Sequence, residues 1–252
     1  MTIPLLPPPD PLSLLPKHPL NGKKYSIVLI DPPWAYYGDP NKNAAAGKHY
    51  SLMTDEEIKA LPVKSILEKN AYVFVWATCP KLDLAIEAIK SWGLYYRGIG
   101  HIWVKASKAG KIINGQGIPP TYSKPTSELL LVATTKKTGR PVKLLNSAIQ
   151  QIVVEPRPQG HSTKPTIFYD LIEKALGTSH NRIEIFARSA YTGWDAIGNA
   201  VSAGEDINTT LKRMTYDHTK TAPTLNNESL VDDENGSLTG SSCCVADADT
   251  SS

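Results

Sequence analysis

Four consecutive residues, Asp31-Pro32-Pro33-Trp34, are of the types needed to work on an aromatic amine. The lone pair of such an amine is delocalised into its ring, which makes it a poor nucleophile. A carboxylate accepting one N–H and a backbone carbonyl accepting the other would hold the nitrogen with its lone pair aimed at an electrophile. Proline suits the neighbouring positions because it fixes φ and lacks an N–H, so the turn offers rigid carbonyls. Trp34, with Tyr36 and Tyr37 close behind, offers faces on which a flat base stacks. Asp and Pro are also ordinary turn formers. A turn has no need of tryptophan, however, and this one directly follows a run as apolar as a buried strand.

The elements that must position the tetrapeptide alternate along the chain. Tyr25–Asp31 (YSIVLID) and Tyr72–Thr78 (YVFVWAT) read as buried parallel strands. After Pro80, Leu82, Ile86 and Ile89 fall on one helical face running to Trp92, and Gly93 stops the helix. Ile99–Val104, Glu128–Thr134 and Ile149–Val154 read as further strands. A helix over Thr166–Leu176, closed by Gly177, leads into Arg182–Ala187 (RIEIFA). This alternation predicts an α/β fold, a doubly wound sheet with helices on both faces in a single domain. Ligands of such sheets sit beyond the carboxyl ends of the strands. The places to look are therefore directly after Ile30, Ala77, Val104 and Ala187. No G-x-G loop follows the first strand, which argues against a nicotinamide cofactor.

With 252 residues, 41% apolar and 20% charged, the chain supports a packed core. Residues 1–22 form a Pro/Leu-rich leader expected to be extended, and 23–202 the packed body. Residues 203–252 are an acidic, Ser/Thr-rich tail, expected to be disordered apart from a short helix near its start. Loss of 210–252 is accordingly expected to leave the fold intact. From residue 203 onward nine acids face Lys212, Arg213 and Lys220, a net charge of −6, which leaves +9 on residues 1–202. A basic body suits a polyanionic partner. Lys105–Lys124, together with Lys136, Lys137, Arg140 and Lys143, is expected to form one phosphate-tracking groove. No apolar run reaches the ~18 residues of a membrane span. The apolar N-terminus is broken by prolines and makes a poor signal peptide. Cys79, Cys243 and Cys244 build neither a disulfide framework nor a zinc site, and His161 has no metal-like spacing, so no metal is expected. The chain reads as intracellular and cytoplasmic, with the nucleus left open.

Beyond the tetrapeptide, the sequence resembles the MT-A70-like adenine-N6 methyltransferases, whose signature is DPPW. The likeness spans about residues 23 to 201 and follows the family's order through HYSLMTDEEIKALPV (49–63), YVFVWATCPKL (72–82), SWGLYYRGIGHIWVK (91–105), HSTKPTIFYDLIE (161–173) and RIEIFARSAYTGWDAIGN (182–199). The resemblance implies a Rossmann-like methyltransferase sheet, S-adenosyl-L-methionine as cofactor, and the N6 amine of adenine in nucleic acid as acceptor. DNA is expected over RNA, and a duplex adenine must be flipped out or taken from a single strand.

On this resemblance the catalytic set is Asp31, Pro32, Pro33 and Trp34, with Asp31 near both the methionyl ammonium and the adenine amine. Lys164 would meet the cofactor carboxylate through a charge-assisted bond. Arg188 would lie near the ribose and Asn199 on its hydroxyls. Trp34, Tyr36 and Tyr50 are the expected substrate contacts, with His49 and Tyr50 in a loop over the pocket. Two positions depart from the family. Ala200 stands where Glu or Gln usually reaches the ribose, and Cys79 stands where Gly is frequent. The alternative to an enzyme is a non-catalytic, nucleic-acid-binding subunit, against which the intact DPPW argues. A homodimer or a methyltransferase-like partner is left open.

Overall fold

The computed structural model describes residues 10–34, 53–114, 122–159, 163–201 and 205–218. In chain order the strands are β1 Tyr25–Ile30, β2 Leu67–Thr78, β3 Tyr95–Ala106, β4 Ser127–Thr134, β5 Ile152–Pro156, β6 Arg182–Ile185 and β7 Asp195–Ile197. The helices are α1 Asp55–Lys59, α2 Leu82–Ser91, α3 Ile167–Leu176 and α4 Ile207–Thr215. All seven strands join one sheet in the order β5-β3-β4-β2-β1-β6-β7.

β1 lies between β2 and β6, parallel to both, and every one of its residues is buried. That placement is why YSIVLI is apolar on both faces. Alternate side chains divide between two cores. Val28, Ile30, Val73 and Val75 pack with Ile58, Leu84, Ala88 and Ile89 on the α2 face. Ile27, Leu29, Phe74 and Trp76 pack with Phe168, Ile172 and Leu176 on the α3 face. Local signals set the helix ends. Thr54 and Glu57 form a reciprocal capping box at the start of α1. Gly93 (φ 71°) follows α2, and Gly177 (φ 85°) ends α3.

The sheet is mixed rather than all parallel, because β4 runs antiparallel between β2 and β3. An apolar run reads the same in either direction, so this reversal was not visible in the sequence. Its consequence is positional. Thr78 and Trp103 both register with Glu128, so β4 begins at the edge where β2 and β3 end. Tyr72 and Tyr95 both register with Thr134, so β4 ends at the opposite edge. β3 is longer than expected. β5 starts at Ile152 rather than Ile149, since its ladder to β3 begins at Ile102↔Ile152.

The boundary expected at 202 also moves. α4 falls in the expected tail, yet Ile207, Leu211 and Met214 are buried in the α2-face core. Asp206 caps α4, its side chain accepting from the Thr209 N–H at 2.9 Å. The Asn21 side-chain amide donates to the carbonyls of Arg213 and Tyr216 (2.7 and 3.0 Å), so the leader is tied to the same helix. Three buried apolar side chains contribute about 5–9 kcal/mol by area. A cut at 210 would remove Leu211 and Met214, so the packed body extends to His218; the rest of the tail lies outside the described residues. Among the described residues, no helix is long and apolar enough to cross a membrane.

Candidate active site

The turn after β1 is held from three directions. The Asp31 N–H donates to the Ile185 carbonyl (3.3 Å) at the end of β6. The Pro32 carbonyl accepts from the Trp34 N–H (2.9 Å), and the Pro33 carbonyl accepts from the Met53 N–H (3.3 Å). Each proline carbonyl therefore has one lone pair engaged and a second to offer. Trp34 is 5% exposed and donates its indole N–H to the Trp76 carbonyl at 3.0 Å, which locks the turn against β2.

A chain of charges runs out from Asp31. Lys164, in the approach to α3, donates to both carboxylate oxygens of Asp31 (2.8 and 2.7 Å). It also lies 3.3 Å from Glu128 Oε2, and Lys105 at the end of β3 lies 2.6 Å from Glu128 Oε1. The side chains of Asp31, Lys164 and Glu128 are 10–12% exposed. Burial pushes the Asp31 carboxyl above its ordinary range, against the pull of Lys164. For Glu128, burial also works upward, but Lys164 and Lys105 outweigh it and hold the carboxyl below its ordinary value. Burial works downward on Lys164, and the two carboxylates outweigh it, so its ammonium is held above the usual range. The Lys164 ammonium also sits 5.4 Å from the centre of the Trp76 ring.

Glu184, on β6, is a third buried carboxyl, pushed up to about 7 chiefly by burial. Tyr169 donates its hydroxyl to Glu184 Oε2 at 2.6 Å and stacks on Tyr191 with ring centres 4.2 Å apart. Sequence reasoning missed Glu128, Lys105 and Glu184 as members of one site. The available signal was a carboxylate set inside an otherwise apolar strand, in SELLLVAT and in RIEIF.

β6 and β7 bring Arg188 and Asn199 to the same edge. Arg188 is exposed, and its charge reaches both Asp31 and Glu184. Asn199 and Ala200 lie exposed in the turn after β7, where the Val201 N–H donates to the Gly198 carbonyl (2.9 Å). A Cβ on Gly198 would meet the Ala187 carbonyl oxygen at 2.5 Å and its nitrogen at 2.7 Å, so only glycine allows this approach. Facing it, Phe186 adopts φ 68°, a left-handed conformation that costs a side-chain-bearing residue ~1–3 kcal/mol. Strain thus sits beside the expected ribose contacts.

Cys79 is exposed, its Sγ 3.5 Å from Ser127 Oγ. Tyr36, His49, Tyr50, His161 and Ser162 lie outside the described residues. Among the described residues, no group of three or more His, Cys, Asp or Glu side chains is arranged to hold a metal ion. The single basic groove is not formed as expected. Lys105, Lys108 and Lys111 leave β3 at the Asp31 edge, whereas Lys136, Lys137, Arg140 and Lys143 follow β4 at the other.

Residues 25–200 match the MT-A70 family. The chain is 28% identical over 196 residues to the type II methyltransferase M.MunI of Mycoplasma sp, covering 71% of this chain and 78% of that protein. It is 26% identical over 187 residues to the human N(6)-adenine-specific methyltransferase METTL4, covering 71% of this chain and 38% of the relative. It is 30% identical over 193 residues to the N6-methyladenosine RNA methyltransferase MTA1 of Pyricularia oryzae, covering 72% and 48%. The chain thus spans less than half the length of the last two relatives. A signature turn at the end of a buried central strand, set in a sheet of this order and matched along most of the sequence, places the chain in the MT-A70 family.

Proposed function

We propose that this chain is an adenine-N6 methyltransferase that takes its methyl group from S-adenosyl-L-methionine, with adenine in DNA as the favoured acceptor. The observation that carries the reading is the Asp31–Lys164 pair, buried at the end of β1 inside DPPW. The residues present suit the cofactor. An amino-acid zwitterion needs an anion and a cation side by side, and Asp31 and Lys164 are such a pair. Arg188 and Asn199 add hydrogen-bonding groups at the same edge for ribose hydroxyls. The orphaned Thr78 hydroxyl, buried without a partner at the end of β2, is a further group a ligand would satisfy. When bound, the cofactor supplies the electrophilic methyl.

The chain's own residues handle the amine. Asp31 accepts one N–H, and a proline carbonyl with its free lone pair accepts the other. The nitrogen must shed a proton as it is methylated. Burial makes Asp31 the better proton acceptor, while Glu128, paired with two ammoniums, stays charged and keeps Lys164 in place. Tyr36 and Tyr50 are assigned to the base, while Trp34, expected there too, is buried with its indole N–H on the Trp76 carbonyl and serves to hold the turn. The reading places the protein inside the cell, where nucleic acid and cofactor meet, and is compatible with a homodimer or a methyltransferase-like partner. RNA is the second reading, favoured by the match to MTA1.

The test is incubation with cofactor and unmethylated DNA or RNA of matched sequence, followed by mass spectrometry of the nucleosides. N6-methyladenine in the DNA arm supports the reading, and its appearance in the RNA arm alone reverses the substrate. Its absence from both arms overturns the activity.

A further inference from the structure

Because β4 runs backwards, the chain leaves Thr134 about 20 Å along the strand from Glu128, at the edge remote from Asp31. The turn that follows carries Lys136, Lys137, Arg140 and Lys143, all exposed. It is braced: Arg97 donates to the carbonyls of Lys136 (3.5 Å) and Lys137 (3.0 Å), and the Thr134 hydroxyl donates to the Lys136 carbonyl (2.7 Å). Several lysines elsewhere are ion-paired, though others among the described residues, such as Lys90 and Lys174, are not. Lys23 pairs with Asp195, Lys59 with Glu56 and Glu87, and Lys105 with Glu128. Among the described residues, no carboxylate ion-pairs with Arg97, Lys136, Lys137, Arg140 or Lys143.

Aromatic faces accompany these charges. Tyr72 and Tyr95 flank Thr134 in the ladder, and Tyr95 is 43% exposed. Burial raises the Tyr72 hydroxyl, while Arg140 and Arg97 are near enough to oppose it. At the same edge, Lys64 and Lys69, with Leu67, Glu68 and Thr135, line a cavity of about 280 Å³.

Like charges held together repel, and a merely solvated surface intersperses the two signs. Cations interleaved with aromatic rings are the surface that tracks a phosphodiester backbone. We infer that this edge is a second nucleic-acid surface, which holds the strand flanking the target adenine at a distance from the site. The inference rests on the nucleic-acid reading above and adds to it where the substrate runs.

The test uses the full chain with Lys136→Gln, Lys137→Gln, Arg140→Gln and Lys143→Gln combined, leaving the bracing Arg97 intact. Its affinity for a duplex of about 30 base pairs should fall at least about tenfold at low salt, and the slope of log affinity against log salt should fall by about three to four. Methyl transfer to an adenine-containing tetranucleotide, too short to reach the far edge, should be unchanged. A control carrying Lys136→Arg, Lys137→Arg and Lys143→Arg should bind like the parent. An unchanged duplex affinity and slope overturns the surface, as does equal weakening in the arginine control. A parent inactive on the tetranucleotide and on longer DNA and RNA overturns the underlying activity instead, and the surface with it.

Discussion

Asp31 and Glu128 share one ammonium, that of Lys164, yet their carboxyls are pushed in opposite directions. Burial is alike for the two side chains, so it does not decide the matter. The neighbouring charges do, with Glu128 also pushing Asp31 upward and Arg188 pulling it down from further away. Asp31 has Lys164, while Glu128 has Lys164 and Lys105. Glu184 extends the series. Among the described residues no cation ion-pairs with it, and it rises to about 7. Three carboxyls in one neighbourhood are thus shifted differently: Glu184 and Asp31 upward, chiefly by burial, and Glu128 downward, by the two ammoniums it meets.

The largest expected effect belongs to Asp31. Asp31→Asn keeps the shape and removes the proton acceptor, so methyl transfer should fall about 10³-fold with the fold intact. A rate within tenfold of the parent would break the distinction between the two carboxylates. Next, Lys164→Met removes the ion-pair partner of Asp31 and leaves Glu128 with Lys105 alone. Denaturant unfolding should show a loss of about 3–5 kcal/mol, with cofactor affinity falling in calorimetry. Glu128→Gln should be milder, since Lys164 keeps Asp31: stability drops by ~1–3 kcal/mol, and transfer slows far less than in Asp31→Asn. Equal losses in those two variants would show that the carboxylates do the same work.

The smallest effect concerns pH. The folded Glu184 binds its proton more tightly than the unfolded chain does, so its contribution to stability is fully present below about 4.5 and is lost as pH rises towards about 7. Glu184→Gln should remove that decline. A thermal midpoint whose pH profile across this window matches the parent's would take Glu184 out of the series.

Much of this neighbourhood was legible because it is local. YSIVLI followed by DPPW specifies a buried strand and the turn at its end within ten residues. Asp31 and Lys164, 133 residues apart, were connected only through the family resemblance. Glu128 was hidden by direction. Searching beyond carboxyl ends finds nothing at the start of a strand, and only the β2–β4 and β3–β4 pairings reveal that β4 is reversed. The same reversal divided the basic loops. The short helix near the tail's start was expected, but its place in the core was not. Ile207, Leu211 and Met214 follow a helical spacing behind the cap Asp206, but polar composition averaged over fifty residues masked the apolar face that docks nine residues of helix on the body.

α4 is also the last of the described helices to leave the ribosome. Until it emerges, the apolar surface around the turn at Val63–Ile66, against which it packs, has no cover. At ~5–20 residues per second the sheet is synthesised seconds ahead of its final helix. For those seconds the nascent chain carries an open hydrophobic seam, and the leader and the last described helix are clasped together only when Arg213 arrives to donate to the Pro16 carbonyl.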